Sequence, residues 1–451
     1  MATVAEPIDY HAKLATYPEL RDRRGWREEL GLDVTTSSDE CCHLLDLAFR
    51  AAFTRSAPRY HALDAAKIAA AAMRADDSCP MAHVAALALR CIGGSKANVH
   101  PALAAATAAC AAGCSEWERR HLEVVTEYAS ADDGAVGDLY TAIVQDFPFD
   151  TLALSLAFIH NSPARRAALL DNSGAAMATW AQPTSSEPGD LYPFLLAEHA
   201  YSLGENEQYE ESERFARQAL ELEPTCALAT HQMAHIFEMT GRSEAGSEFL
   251  AATEQDWNLG GQATHIYWHW GVLHVEHGAH AEALALYEKT FETAKRDDAS
   301  GARSMGKCLN DLASLLFRLH LDGLEPERTA NLAAEVLALP SVAGMVGRST
   351  GSAALDVHMT MLLSLVGRQS EAELLQLDSA ATDTSAVSVR FAEASALTTA
   401  LCAAIVAYTT HDYTAASKVL EELATDPTAF WEASSGVEGV PAPGNVYLSR
   451  L

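Results

Sequence analysis

The chain has 451 residues, with 31 basic against 61 acidic side chains, a formal net charge of −30 and 49% hydrophobic residues. This length predicts two or three domains or one long repeat array, because one hydrophobic core rarely serves so many residues. A surface this acidic repels phosphate groups, so we expect neither a nucleic-acid partner nor an association with membranes.

The N-terminus and the cysteines indicate the cellular compartment. Residues 1–7 are polar and acidic and lack the apolar core of a signal peptide, and no run of roughly 18 apolar residues predicts a membrane span. The nine cysteines include no Cys-x-x-Cys pair, and most lie in apolar helical stretches, which suits reduced thiols. We therefore expect a cytoplasmic protein.

Helical patterns dominate the N-terminal part of the chain. Aromatic residues make up only 7% of the sequence, and the alternation typical of strands is nearly absent, which favours helices packed through small residues. Residues 65–74 and 81–90 predict a pair of helices. The proline, serine and glycine residues between Gln182 and Gly189 predict an irregular linker.

A repeat is clearest in the centre of the chain. Residues 193–226 resemble a tetratricopeptide repeat, whose period is about 34 residues, with Pro224 as its closing proline. In the same register, the next two repeats place Gly241 and Gly278 at the turn between their helices and Gly271 at a small packing position. We therefore predict an all-α, tetratricopeptide-like α-solenoid of stacked helical hairpins with a His-rich concave face.

The predicted organisation has six parts, whose boundaries follow turn and proline signals. They are an N-terminal helical capping segment at 1–60, N-terminal helical repeats at 61–181, a linker at 182–192, central tetratricopeptide repeats at 193–300, C-terminal helical repeats at 301–427 and an irregular tail at 428–451.

Two pairs of histidines lie in the central repeats. His231 and His235 are four residues apart, with Glu238 three residues further on, and His265 and His269 form a second pair one repeat later. Residues three and four apart share a face of a helix, so each segment points its titratable groups in one direction. The register set by the prolines and glycines places all five on the groove side of consecutive repeats. They are our candidate catalytic residues.

Together with further segments, these residues resemble the tetratricopeptide repeat protein 38 family over most of the chain. The similar residues are 33–41, 81–83, Glu118, His121, 146–154, 234–236, Glu238, Met239, His265, 267–270, Asp311, Ser314, Arg318, Asp356 and His358. The resemblance implies a repeat fold and no particular reaction, and the C-terminal tail departs from the family's pattern. It adds Asp311, Arg318, Asp356 and His358 as candidate ligand-binding residues. Trp268 joins them because its groove-side position suits stacking on a planar ligand.

The histidines admit three interpretations. Imidazoles bind divalent transition-metal ions such as zinc, so with Glu238 they could hold a metal for hydrolytic chemistry. Without a metal, Glu238 would orient His235 and leave another histidine as general base. In the third interpretation the histidines only join helices through buried hydrogen bonds.

The resulting hypothesis is a protein that binds a small organic or peptidic ligand in a pocket lined by His, Glu and Trp, with acid–base or metal-assisted chemistry. The alternative is a scaffold without catalysis, whose groove binds a peptide of a partner protein. Buried histidines would favour the first hypothesis, and an open groove the second. The sequence has neither a phosphate-binding loop nor a Gly-x-Ser-x-Gly elbow, and it predicts no oligomeric state.

Overall fold

The computed structural model describes residues 32–54, 64–91, 99–130, 133–160, 166–180, 191–300, 305–347, 353–373 and 389–424. Throughout these ranges the secondary structure is helical, with no strand, which confirms the all-α prediction. Helices that follow one another in the chain pack against each other in adjacent pairs.

The chain divides into two compact units. Unit 1 comprises Met1–Asn161, Arg165–Gln232 and Leu259–Gly261, and unit 2 comprises Ser162–Ala164, Met233–Asn258 and Gln262–Leu451. The main boundary therefore lies between residues 232 and 233, inside the predicted central part 193–300. Tertiary packing sets this boundary, and a repeat pattern read along the chain does not report it.

The helices of unit 1 account for most of its described residues. They are α1 (Asp39–Phe53), α2 (Ala65–Ala75), α3 (Pro80–Cys91), α4 (Val99–Ala112), α5 (Glu116–Ser130), α6 (Asp133–Asp146), α7 (Thr151–His160), α8 (Arg166–Trp180), α9 (Tyr192–Glu205) and α10 (Tyr209–Leu222). The next helix begins in unit 1 and ends in unit 2, and it is α11 (Ala227–Met239).

Unit 2 continues the same pattern of paired helices. Its further helices are α12 (Ser243–Trp257), α13 (Ala263–Glu276), α14 (His280–Ser300), α15 (Met305–Leu321), α16 (Pro326–Leu337), α17 (Pro340–Ala343), α18 (Ala353–Leu365), α19 (Val389–Thr409) and α20 (Tyr413–Ala424).

Helices α2 and α3 confirm the predicted pair at 65–74 and 81–90. Local signals explain where such helices begin: the Ser38 side chain accepts a hydrogen bond from the Cys41 backbone N–H at the start of α1, and Asp64 does the same for Lys67 at the start of α2. Of the predicted linker, residues 182–190 lie outside the described residues, as does the tail 428–451.

Two predicted turn glycines have the expected backbone. Gly241 and Gly278 adopt positive φ angles of 67° and 78°, in the left-handed region where a side chain would be strained. Each lies between the two helices of a pair, after α11 and after α13. The reversal of the chain at these points therefore depends on residues that the sequence pattern identifies.

Unit 2 is held together by an apolar core that α13, α15 and α18 share with their neighbours. Val272, Leu312, Leu316 and Leu362 belong to it and are fully buried. Helix α13 packs directly on α15, and α15 on α18, although α14 separates the first pair in the chain and α16 and α17 separate the second. These three helices therefore lie side by side, which brings together side chains far apart in sequence.

In the described part of the chain, no helix is both long and apolar enough to cross a membrane.

Candidate functional site

Two hydrogen bonds between side chains fasten α13 to α15 on one face. The ring Nδ1 of His265 lies 2.8 Å from the Asp311 carboxylate, to which it donates, and Trp268 Nε1 donates to Ser314 Oγ at 2.6 Å. Both pairs are separated by 46 residues in the chain. The spacing of three residues on each helix keeps the two bonds on the same side, so the helices meet in a fixed register.

His269 lies at the centre of the polar residues on this face. Its side chain is only 1% exposed, and its ring centroid is 4.4 Å from that of His235 and 4.7 Å from that of His265. Its Nδ1 atom is 3.4 Å from Oε2 of Glu238, whose side chain is 5% exposed. We call His235, Glu238, His265, His269 and Asp311 the histidine cluster. All five belong to unit 2.

The cluster is not uniformly buried. His235 is half-buried and the His265 side chain is 19% exposed, whereas the side chains of Glu238 and His269 are almost completely buried. A small molecule could therefore reach His235 and His265 directly.

Burial also changes which groups carry charge. Desolvation raises the pKa of Glu238 to about 7, an effect that Arg318 opposes and Glu276 reinforces through their charges. Desolvation, followed by the charge of His265, lowers the pKa of His235 to about 3. At neutral pH His235 is thus a neutral imidazole, and Glu238 is present both as acid and as carboxylate. Such opposite shifts in neighbouring groups are common in functional sites.

One oxygen of Glu238 needs an explanation. Among the described residues, Oε2 is buried and makes no hydrogen bond, since its 3.4 Å separation from His269 Nδ1 is an ion-pair distance. Buried carboxylate oxygens are normally hydrogen-bonded or coordinate a cation. Glu238 Oε2 is thus a hydrogen-bond acceptor that no donor among the described residues satisfies.

Trp268 has a different environment from the one expected of a ligand-stacking residue. Its side chain is buried, and its ring is stacked on His265 with centroids 5.2 Å apart and an interplanar angle of 6°. Together with the hydrogen bond to Ser314, this arrangement makes Trp268 a support for the His265 ring. The stacking partner of Trp268 is therefore a residue of the cluster.

Arg318, Asp356 and His358 are the remaining candidate ligand-binding residues. Arg318, on α15, is buried and acts on Glu238 through its charge. Asp356 and His358 lie on α18. Burial raises the pKa of the Cys402 thiol, on α19, to about 12, and the charge of Asp356 adds to this increase. Asp356 therefore acts on a residue of α19.

His231 lies one helical turn before His235, in the part of α11 that belongs to unit 1. It is buried, and its ring stacks on Tyr201 of α9 with centroids 6.1 Å apart. Within unit 1 it is thus a packing residue of the α9 and α11 helices.

Unit 1 contains a second His–Asp pair of a different kind. Asp150 Oδ2 accepts hydrogen bonds from Trp117 Nε1 at 2.6 Å and from His121 Nε2 at 2.7 Å, and Oδ1 accepts one from the Ala153 backbone N–H. Both side chains of the pair are completely buried, so no ligand can touch them. Burial by itself would raise the pKa of Asp150, but the His121 charge and these hydrogen bonds lower it. This pair joins α5 to the start of α7.

The histidine cluster combines neutral imidazole, a protonatable carboxyl group and a histidine oriented by a carboxylate, which are the components of acid–base chemistry. No protein-family model matches the chain.

Proposed function

We propose that unit 2 is a tetratricopeptide-like repeat module that binds a small organic or peptidic ligand over the histidine cluster and acts on it by acid–base chemistry. The observation that carries the proposal is the burial of the cluster: His269 and Glu238 are almost completely buried and lie beside the half-buried His235 and His265. A groove that only displays side chains to a partner peptide has no use for polar groups at that depth, because burying them costs free energy.

His265 is the residue that we assign to proton transfer. Its Nδ1–H donates to Asp311, and its side chain is 19% exposed. Asp311 holds the ring orientation and the tautomer, as the carboxylate partner of a catalytic histidine does. The stacked Trp268 ring restricts the imidazole from the other side. This histidine is therefore oriented, accessible and supported, which a general base requires.

The resemblance to the tetratricopeptide repeat protein 38 family supports the repeat part of the proposal. The residues that carry it include Glu238, His265, Trp268 and His269, the same side chains that meet in the cluster. The acidic composition of the chain supports ligands other than nucleic acid and membranes, and we propose a cytoplasmic location on the sequence signals already given.

The proposal is tested by a binding panel on the purified full-length chain. Thermal unfolding is measured with small amines, carboxylic acids, amides, nucleosides and peptides of two to ten residues, and calorimetry follows for every compound that stabilises the protein. A ligand at about 100 times its Kd stabilises the folded state by about 2.7 kcal/mol, which such a screen detects. We expect hits among the smallest compounds.

Three variants assign the hits to the cluster. His265→Gln and Asp311→Asn should weaken binding or turnover of each hit, because one removes the oriented ring and the other its partner. The double variant His274→Ala/His277→Ala removes a solvent-accessible pair from the same helix and should leave the hits unchanged. If only the longest peptides bind, and His265→Gln does not affect them, the protein is a scaffold and the proposal is wrong.

A further inference from the structure

We propose that His235 and Glu238 of α11 and His269 of α13 bind one divalent transition-metal ion. This inference rests on the same site as the proposed function and names a cofactor for it.

The separation of the donor atoms fits such an ion. Two ligand atoms that each lie about 2.1 Å from a tetrahedral ion are about 3.4 Å apart. The observed distance between His269 Nδ1 and Glu238 Oε2 is 3.4 Å. His235 and His269 also present ring nitrogens within 4.8 Å of each other, so His235 offers a third donor beside this pair.

The spacing of the ligands explains why α11 contributes two of them. His235 and Glu238 are three residues apart, so they share one face of the helix. A histidine and a glutamate three residues apart on one helix also occur as metal ligands in the cores of helical bundles. His269 then supplies the ligand from the neighbouring helix. The three donors therefore come from two helices.

The buried oxygen of Glu238 is the second, independent observation. Oε2 makes no hydrogen bond among the described residues, although the side chain is 95% buried, and a cation would satisfy it.

The donor set indicates the class of ion and its use. Two imidazoles and one carboxylate suit zinc, cobalt, nickel or iron in the divalent state, whereas magnesium and calcium prefer oxygen ligands alone. Three protein ligands leave a coordination position for water or for a ligand, as in catalytic zinc sites. His265 lies beside the donor set, with its ring centroid 4.7 Å from that of His269. A bound water and the proposed general base would then be neighbours.

The test uses Co²⁺ and Zn²⁺ on the untagged full-length chain after treatment with a chelator. Co²⁺ binding is followed by its visible absorption, stoichiometry by equilibrium dialysis and elemental analysis, and Zn²⁺ by competition. We expect one ion per chain, with the intense absorption of a four- or five-coordinate Co²⁺ site. His269→Ala and Glu238→Gln should each weaken binding by at least about 100-fold, because even the partners of metal ligands contribute up to that much.

A matched control removes imidazoles that do not belong to the site. His274 and His277, also near the end of α13, are solvent-accessible and lie 3.2 Å apart, so they could bind ions adventitiously. His274→Ala/His277→Ala should keep the Co²⁺ spectrum and stoichiometry. Glu238→Gln conserves side-chain volume, so it decides the matter even if His269→Ala unfolds, which circular dichroism would reveal.

The inference is overturned if Co²⁺ binds below one equivalent per chain, if Glu238→Gln binds it as wild type does, or if the control variant loses it. The ligand panel is run separately on chelator-treated protein. Hits there without a metal site would uphold the proposed function and refute the cofactor, and a metal site without hits would do the reverse.

Discussion

The buried pair of unit 1 gives the most quantitative prediction. Asp150 accepts three hydrogen bonds, from Trp117, His121 and the Ala153 backbone, and neither Asp150 nor His121 is accessible to solvent. Asp150→Asn places an N–H₂ group against at least one of these donors and removes the charge that faces His121. Removing one partner of a buried pair costs about 3–5 kcal/mol, and a hydrogen bond to a charged group contributes about 1.5–3 kcal/mol. Because asparagine keeps one oxygen acceptor, we expect a loss of about 3 kcal/mol.

The pH dependence of this loss follows from the pKa of Asp150. The folded protein lowers that pKa below the unfolded value of about 3.9, so the stabilising contribution is complete above pH 3.9. It is lost as the pH falls through the folded-state pKa. The stability difference between wild type and Asp150→Asn should therefore be largest near neutrality and shrink in acid.

Urea unfolding monitored by circular dichroism measures both effects. Asp146→Asn is the matched control, because Asp146 lies four residues earlier and pairs with Arg120 at the surface, where such pairs contribute less than about 1 kcal/mol. A loss below about 1 kcal/mol for Asp150→Asn at neutral pH, or a loss that grows in acid, would refute the reasoning.

Two further predictions concern the contacts between α13 and α15, and urea unfolding also measures them. Trp268→Phe removes the donor to the buried Ser314 hydroxyl and should lower the free energy of unfolding by about 1–2 kcal/mol. Much of this loss should be absent when the same change is made in Ser314→Ala, and additive effects of the two changes would contradict the hydrogen bond. A Cβ on Gly271 would lie 2.6 Å from Leu315 Cδ2, so Gly271→Val should cost about 1–3 kcal/mol. Leu315→Ala should relieve part of that cost, and an unchanged penalty would show that the crowding lies elsewhere.

Features of the fold that are set by residues close together in the sequence were predictable from the sequence. The helix pair α2 and α3, and the left-handed turns at Gly241 and Gly278, follow from local periodicity and backbone conformation. The boundary of the units inside α11 was not predictable, because it depends on which helices pack together over long distances in sequence.

The candidate site was likewise predictable only where residues lie close together in the sequence. Helical spacing predicted that His265 and His269 share a face, and the structure also brings His235, Glu238 and Asp311 to them. The role of Trp268 was not predictable, because helical spacing does not show that its ring stacks on His265 while its N–H reaches Ser314 on another helix. The contacts of Asp150 with Trp117 and His121 were not predictable either, because these residues lie 33 and 29 positions away in the sequence.

The central claim is that the histidine cluster serves a bound ligand and not only the packing of helices. Its most direct test is the affinity of the tightest compound of the panel for wild type and for His265→Gln, measured by calorimetry. We predict a loss of at least about tenfold, equivalent to about 1.4 kcal/mol, with no change in His274→Ala/His277→Ala. No binding by any compound, or equal affinity in wild type and His265→Gln, would contradict the claim.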